Sequence, residues 1–157
     1  GNSVVNGGFE QTVLEGGFDW RNTAVPGVRV ALEEGEAHNG ARSLRVAFDD
    51  TAAADAGVVQ FIAVQPGTEY ELSAFLKADL AAASGPRLAV YDAYTRAQYA
   101  MTEEVPGSAP WREQGIQFKV GPDASLVELR IVRSPASGTI RGTLWVDDVR
   151  LAPRSKP

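Results

Sequence analysis

The sequence predicts an all-β domain, an antiparallel β-sandwich or jelly roll, and three observations support this fold class. Apolar residues recur at every second position in six short runs, at 28–32, 44–48, 88–90, 116–120, 127–131 and 145–151. That period is typical of strands with one buried face. Turn-forming pairs such as Pro26-Gly27, Asn39-Gly40 and Pro66-Gly67 separate the runs. The length of 157 residues suits one domain with one core.

One segment is ambiguous. Residues 68–84, TEYELSAFLKADLAAAS, place apolar residues on one helical face but also alternate as a strand through Tyr70, Leu72, Ala74 and Leu76. We expect a strand to about Lys77, because the neighbouring runs need a sheet partner, followed by a loop with one helical turn at 80–84. The whole of 1–152 is then a single β-sandwich module, and 153–157 is a linker stub.

Charge and composition exclude several classes of partner. The formal net charge is −5 and the 15 basic residues are scattered, so nucleic acid and anionic membrane surfaces are poor candidates. No apolar run reaches the ~20 residues of a membrane span. With no cysteine there is no disulfide and no thiolate site. We expect an accessory module that is covalently part of a larger protein and lies outside the cytoplasm.

Five motifs occur in a recognisable order: NGGFE (6–10), GARSLRV (40–46), the long run 58–78, Trp111 before GIQFKV (115–120), and GTLWVDDVRL (142–151). Together they resemble the carbohydrate-binding modules with a galactose-binding-domain-like jelly roll, which are often attached to bacterial xylanases and glucanases. The resemblance implies non-catalytic carbohydrate recognition. A sixth motif, GGFDWR (16–21), is also similar to C-terminal domains of bacterial tetratricopeptide-repeat proteins. The alternative is therefore a protein-interaction or scaffold domain without a sugar ligand.

The same resemblance implies a structural calcium ion held by the Glu10 side chain, a backbone carbonyl near Arg42 and the Asp147 side chain. Calcium takes 6–8 oxygen ligands, often from separate loops. The alternation places Asp147 on the inward face with Trp145 and Val149, where a carboxylate needs a partner. The ion would pin the N- and C-terminal strands. Alternatively, the two carboxylates are solvated, or Asp147 pairs with an arginine.

Sugar binding calls for exposed aromatic rings, whose flat apolar faces stack on pyranose rings. Tyr91 and Arg87 lie opposite in parity to Leu88 and Val90, so they should face a concave sheet surface. The full set of predicted ligand-binding residues is Gln60, Phe75, Lys77, Arg87, Tyr91, Tyr94 and Tyr99. We expect Trp20, Trp111 and Trp145 to belong to the core, since each sits at a strand end beside apolar residues.

Catalysis has little support in the sequence. The single histidine, His38, lies in a turn-like segment where we expect it to be exposed. The G-x-S-x-G and H-E-x-x-H motifs are absent. Adjacent carboxylates such as Glu103 and Glu104 point to opposite faces of a strand, so they cannot flank one glycosidic bond. Pairs distant in sequence stay open. We expect the domain not to be an enzyme.

Overall fold

The computed structural model describes residues 1–11 and 19–154, which form ten strands and two antiparallel sheets. The strands are β1 (Arg21–Asn22), β2 (Val28–Glu34), β3 (Arg42–Thr51), β4 (Asp55–Ala63), β5 (Glu69–Ala82), β6 (Arg87–Asp92), β7 (Gln98–Met101), β8 (Ser108–Lys119), β9 (Leu126–Val132) and β10 (Ile140–Pro153). Sheet 1 has the order β1-β4-β9-β6-β7, and sheet 2 has the order β2-β3-β10-β5-β8. The predicted β-sandwich is confirmed. Nowhere in these two ranges does a helix occur that could cross a membrane.

The core lies between the two sheets, because every long strand turns its apolar positions inward. In sheet 1, Val90 on β6 and Leu129 on β9 are almost completely buried. In sheet 2, Val46, Leu72 and Leu144 have the same role on β3, β5 and β10. Packing the two inner faces together buries apolar surface, and each Å² of it stabilises the folded state by about 25 cal/mol. Function must therefore use the outer faces or the loops.

The ambiguous segment 68–84 is mostly one long strand, and the expected helical turn at 80–84 is wrong. β5 runs to Ala82, and its last residues pair with the start of β10. Gly142 opposes Leu80 with a φ of 110°, and a Cβ there would stand 2.1 Å from the Asp79 carbonyl oxygen. Pairing with β10 thus outweighs the local helical pattern of these residues.

A β-bulge in β10 corrects the predicted parity of the last strand. The register to β5 shifts between Asp147 and Arg150, and Asp148 has a φ of 48°. The extra residue reverses the alternation. Trp145 and Asp147 consequently point out of the sandwich, opposite Lys77 and Phe75 on β5, while Val149 lies in the core. The expectation that Trp145 and Asp147 face inward is wrong.

The chain ends of the module are tied to its body. β10 includes Pro153, which the sequence assigned to the linker stub, and the Arg154 amide donates to the Glu69 carbonyl. At the other end, Trp20 is buried as expected and stacks on Phe9 with ring centroids 5.2 Å apart. Residues 16–18 of the GGFDWR motif lie outside the described ranges. Residues 155–157 do so as well.

One buried arginine joins three loops at one end of the sandwich. Arg133, only 3% exposed, donates from Nε to the Ser84 carbonyl at 3.0 Å and from Nη1 to the Ala53 carbonyl at 3.1 Å. Its Nη2 reaches the carbonyls of Ser137 and Gly138. These acceptors are all neutral, so the planar fork of donors, more than charge pairing, holds the loops together.

Replacing this fork tests its contribution. Arg133→Lys retains the charge but cannot reach three loops, so buried carbonyls lose their donors. We expect the free energy of unfolding to fall by about 2–4 kcal/mol, measured by urea denaturation. The control is Arg29→Lys, since Arg29 makes an exposed ion pair with Asp49 and its replacement should change stability little. Equal effects of the two variants would contradict the proposed role of Arg133.

Candidate functional site

The predicted ligand-binding residues do not form one surface. Phe75 and Lys77 lie on β5 of sheet 2, whereas Arg87 and Tyr91 lie on β6 of sheet 1. All four point outward, because the intervening residues on both strands fill the core. The outer faces of a sandwich are on opposite sides of the molecule. Tyr91 and Arg87, which the sequence placed on a concave sheet surface, therefore share no face with Phe75 and Lys77.

The outer face of sheet 1 carries a row of four side chains across four strands. Glu128 on β9 pairs with Phe61 on β4 and with Tyr91 on β6, and Tyr91 pairs with Gln98 on β7. Phe61 and Tyr91 are thus two strand spacings apart, roughly 9–10 Å. In the adjacent row, Val59 and Ala89 lie on either side of Arg130 and are buried although they point outward. Phe61 and Tyr91 therefore lie on one face, on either side of Glu128.

Charged groups connect the two aromatic positions. Glu128, whose side chain is 6% exposed, accepts hydrogen bonds at Oε2 from Arg96 Nη1 at 2.6 Å and from Arg130 Nε at 2.9 Å. Arg130 Nη1 also reaches Asp55 Oδ2 at 3.2 Å. Burial raises the pKa of Glu128, but the hydrogen bonds and charges of both arginines outweigh burial and leave that pKa below its ordinary value. Glu128 is held ionised at the centre of this face.

Each ring of the row also has a guanidinium group near it. Arg21 lies 5.6 Å from the ring centroid of Phe61, and Arg96 lies 6.0 Å from that of Tyr91. Both distances are within the range of cation–π attraction. Burial, followed by the charge of Asp55, raises the pKa of Tyr91, so its hydroxyl stays a hydrogen-bond donor at neutral pH. The face thus combines aromatic surface with charged and hydroxyl groups.

A tight turn between β6 and β7 positions Arg96. Asp92 Oδ1 accepts the amides of Tyr94 and Thr95, each at 2.9 Å, and Asp92 Oδ2 accepts the Tyr99 hydroxyl at 2.8 Å. The Arg96 backbone has a φ of 68°, which this bonding holds in place. The Thr95 amide, the Tyr99 hydroxyl and the Tyr94 amide lower the pKa of Asp92.

The stability that Asp92 provides should therefore depend on pH. Its pKa is lower in the folded than in the unfolded chain, where it is about 3.9. The stabilisation is then fully present above about pH 4 and is lost as the pH falls through the folded pKa. We expect Asp92→Asn to melt below wild type at pH 7, with a gap that narrows below about pH 4. The exposed Asp123→Asn serves as control, and a gap that does not change with pH would contradict this role.

Of the four remaining predicted residues, Gln60 and Tyr99 have roles inside the fold, whereas Arg87 and Tyr94 do not. Gln60 has no exposed surface, and its side-chain amide bonds both backbone groups of Val5. The prediction that Gln60 contacts a ligand is therefore wrong. Tyr99 packs against the core and bonds Asp92. Arg87 lies on the outer face of sheet 1, where it donates to the Thr102 carbonyl and approaches Glu104. Tyr94, 73% exposed, is in the β6–β7 turn.

The aromatic rings on the outer face of sheet 2 are engaged by other side chains. His38 stacks on Phe75 with ring centroids 3.5 Å apart and is exposed, as the sequence predicted. Lys77 covers the ring of Trp145 at 5.1 Å and bonds Glu36 at 2.9 Å. Trp111 Nε1 donates to the same Glu36 carboxylate. Trp111 and Trp145 are therefore partly exposed parts of this outer cluster, which corrects their assignment to the core.

The same cluster holds the loop before β3, which joins the two carboxylates of the predicted calcium site. Glu10 accepts the amides of Ala41 and Arg42, at 2.8 and 2.9 Å. Asp147 Oδ2 accepts the amides of His38 and Asn39, at 2.9 and 3.1 Å. A Cβ on Gly40, whose φ is 73°, would lie 2.7 Å from the Glu10 carboxylate. Both ends of this loop therefore contact a predicted calcium ligand.

The donor set at this loop is compatible with a hard cation. Asp147 has no exposed surface, and burial above all raises its pKa. No salt bridge to Asp147 is found within residues 1–11 and 19–154, which argues against the alternative arginine partner. Those ranges also hold no cluster of three or more His, Cys, Asp or Glu side chains, so a cation here would need carbonyl oxygens beside Glu10 and Asp147. Each Glu10 oxygen has a lone pair left after its hydrogen bond.

Five residues of the sheet 1 face were missed by the sequence analysis: Asp55, Phe61, Arg96, Glu128 and Arg130. The alternation already placed Glu128 and Arg130 opposite the apolar residues of their run. Glu128 and Arg130 share a face with Phe61 and Tyr91 only because β9 lies between β4 and β6. That strand order arises from pairings between segments distant in sequence. Parity alone could have identified these two residues as outward-facing but not as neighbours of Tyr91.

Comparison with known proteins gives the family. The model of the carbohydrate binding domain family (CBM_4_9) matches residues 1–138. No curated protein matches the chain significantly. The similarity of GGFDWR to tetratricopeptide-repeat proteins finds no support in the family match.

Solved structures with this fold include several carbohydrate-binding modules. A CBM4 structure superposes with a TM-score of 0.70 at 18% identity, over 97% of this chain and 100% of that one. A xylan-binding domain from CBM 22 gives a TM-score of 0.64 at 19% identity, over 99% and 97%. The CBM22-1–GH10 modules of Clostridium thermocellum endo-1,4-beta-D-xylanase 10B, complexed with xylohexaose, give 0.61 at 22%, over 92% of this chain and 28% of that one. At these identities the superpositions establish the fold alone.

Proposed function

Since the chain belongs to the carbohydrate binding domain family, we propose that it is a non-catalytic accessory module that binds a polysaccharide chain across the outer face of sheet 1. The observation that carries the proposal is the row Phe61, Glu128 and Tyr91, in which two aromatic side chains flank an ionised carboxylate on neighbouring strands. Aromatic faces stack on pyranose rings, and carboxylate and guanidinium groups bond sugar hydroxyls.

The spacing of the row supports a chain rather than a single sugar. Phe61 and Tyr91 are roughly 9–10 Å apart at the backbone, comparable to the length of a disaccharide unit. Glu128 and Arg130 lie between them, where the hydroxyls of a bound chain would pass. In this proposal Phe61 and Tyr91 provide the stacking surfaces, and Glu128, Arg130 and Asp55 provide the polar contacts.

The outer face of sheet 2 supports sugar binding less well. Its rings already contact His38 and Lys77, and the Trp111 and Trp145 indole N–H groups donate to Glu36 and Glu33. An open depression of about 450 Å³ lies between β5 and β8, but Glu71, Glu113 and other residues without aromatic rings line it. The contacts of these rings with His38, Glu36 and Glu33 stabilise the loop before β3.

Loss of one ring tests the proposal directly. We expect Tyr91→Ala to weaken binding to the recognised polysaccharide about tenfold or more, because it removes one of two stacking surfaces. Affinity electrophoresis against a broad panel of soluble glycans, including xylan, β-glucan and mannan, identifies that polysaccharide for the wild type.

The matched control is Trp145→Ala, which removes an aromatic ring from the opposite face. It should retain wild-type binding. Loss of binding in Trp145→Ala, with Tyr91→Ala unchanged, would place the site on sheet 2 and contradict the proposal. If the wild type binds no glycan of the panel, the result would favour a scaffold domain without a sugar ligand.

We also propose a structural calcium ion at the loop before β3, with the Glu10 and Asp147 carboxylates and a backbone carbonyl near Arg42 as ligands. When bound, the cation would neutralise a buried carboxylate and link the first and last segments of the module. The support is the absence of any exposed surface on Asp147 and the position of both carboxylates against one loop.

Calcium should then stabilise the folded state by mass action, by about 2.7 kcal/mol at 100 times its dissociation constant. We expect a chelator to lower the melting temperature of the wild type and added calcium to restore it. Glu10→Gln should melt at the same temperature with and without calcium. The control Glu34→Gln changes an exposed carboxylate that contacts Arg42, and it should retain the calcium response. A wild-type melting curve that chelator does not move would contradict the metal site.

A further inference from the structure

Two of the four asparagines of the chain are followed directly by glycine, at Asn6-Gly7 and Asn39-Gly40. This dipeptide can rearrange without an enzyme, because glycine has no Cβ to hinder attack of its amide nitrogen on the preceding side-chain amide. The two pairs have different surroundings in the fold, and their contacts decide which of them can react in the folded protein.

The first pair is held by hydrogen bonds and close packing. Asn6 Oδ1 accepts the Gln11 amide at 3.1 Å, and Asn6 Nδ2 donates to the Gln11 carbonyl at 2.9 Å. Gly7 is buried, its carbonyl accepts the Val149 amide, and a Cβ on Gly7 would stand 2.2 Å from the Val149 carbonyl oxygen. The Asn6 side chain can therefore reach the Gly7 nitrogen only after local opening of this segment.

The second pair has its reacting groups together. Asn39 and Gly40 are both exposed, and the Gly40 amide donates to Asn39 Oδ1 at 2.9 Å. The side chain is thus folded back over the next peptide, with its Cγ one bond beyond the accepting oxygen. In the described parts of the chain, the Asn39 side chain makes no other hydrogen bond. Two groups held together in this way react at a lower entropic cost.

We propose that Asn39 is a site of spontaneous deamidation and isoaspartate formation in the folded protein. This inference is independent of the proposed sugar binding, because the loop that carries Asn39 contacts Asp147 and Phe75 on the outer face of sheet 2.

The reaction needs water alone. The Gly40 nitrogen loses its proton to water and attacks Asn39 Cγ. The new N–Cγ bond closes a succinimide ring, while the Cγ–Nδ2 bond breaks and Nδ2 leaves as ammonia. Water then adds to one of the two ring carbonyls. Addition at Cγ gives aspartate, whereas addition at the main-chain carbonyl carbon of Asn39 breaks its bond to the Gly40 nitrogen and leaves the chain running through Cγ, as isoaspartate. One water is consumed overall, one ammonia is released, and nothing is oxidised or reduced.

Isoaspartate at this position loosens the loop before β3. The Asn39 amide donates to Asp147 at 3.1 Å, and the Ala41 amide donates to Glu10 at 2.8 Å. An extra methylene in the main chain between these two donors prevents both from keeping their acceptors in the folded geometry. The rearrangement also adds a carboxylate beside Glu10 and Asp147, and like charges at short range repel. The link that this loop makes between the first segment of the module and β10 is then lost irreversibly.

The test follows both asparagine–glycine pairs in one molecule. The folded protein and a urea-unfolded sample are incubated in mildly alkaline buffer, and mass spectrometry of their peptides measures conversion at each asparagine. An isoaspartate-specific methyltransferase identifies the isoaspartate product. We expect Asn39 to convert at least about tenfold faster than Asn6 in the folded protein, because Asn6 reacts only on local opening. In urea the two rates should become similar, since both asparagines precede glycine.

Two variants separate the rearrangement from the added charge. Asn39→Gln keeps the amide but needs a ring one atom larger, so it should resist conversion. Asn39→Asp, measured fresh, supplies the charge with a normal main chain. Melting is measured in chelator, so that the proposed calcium has no effect. We expect the aged wild type to melt about 5 °C or more below the fresh protein, and also below Asn39→Asp. Asn39→Gln incubated for the same time should keep its melting temperature.

The outcomes that would overturn the inference are distinct. Equal conversion of Asn6 and Asn39 in the folded protein would mean that the structure does not select the site. An intact Asn39 in folded protein, after the urea sample has converted, would mean that the folded loop prevents the reaction. If Asn39 converts but the aged protein melts like the fresh one, the modification site stands and the loosening of the loop is wrong.

Discussion

Each strand of a two-sheet sandwich has one face that must be buried, and this constraint governs what the rest of the molecule can do. The inner positions of β3, β5, β6, β9 and β10 are occupied by the apolar core. The outer faces and the loops remain for recognition, and the two outer faces point in opposite directions. The side chains of the two sheets cannot combine in one site, however similar their parity along the chain. The two outer faces therefore have separate chemistry.

On sheet 2 the outer face stabilises the fold. His38, Glu36 and their partners hold the loop before β3 over Asp147, so this buried carboxylate receives backbone donors from the loop. The β-bulge at Asp147 makes that arrangement possible, because it turns this residue away from the core. On sheet 1 the outer face has a different character, with charged groups between two aromatic positions and a rigid turn that presents Arg96.

The fold was predictable because its signals are local. Alternation along Leu88–Val90 or Val127–Ile131 identifies a strand wherever that strand lies in the sheet. The site was only partly predictable, because its composition depends on strand order. The outward position of Tyr91 was predictable from its parity, whereas Phe61 and Glu128 become its neighbours through pairings that no local pattern encodes. Trp145 was assigned to the core because local alternation does not reveal the β-bulge after Asp147.

We propose that the outer face of sheet 1 is the binding surface of this carbohydrate binding domain. An NMR titration of the isotope-labelled protein with a soluble oligosaccharide of the recognised polymer tests it most directly, because backbone amide shifts report position along every strand. We expect shift changes concentrated at the central residues of β4, β9 and β6, around Phe61, Glu128 and Tyr91. Changes concentrated on β5 and β10 around Phe75 and Trp145 would contradict it.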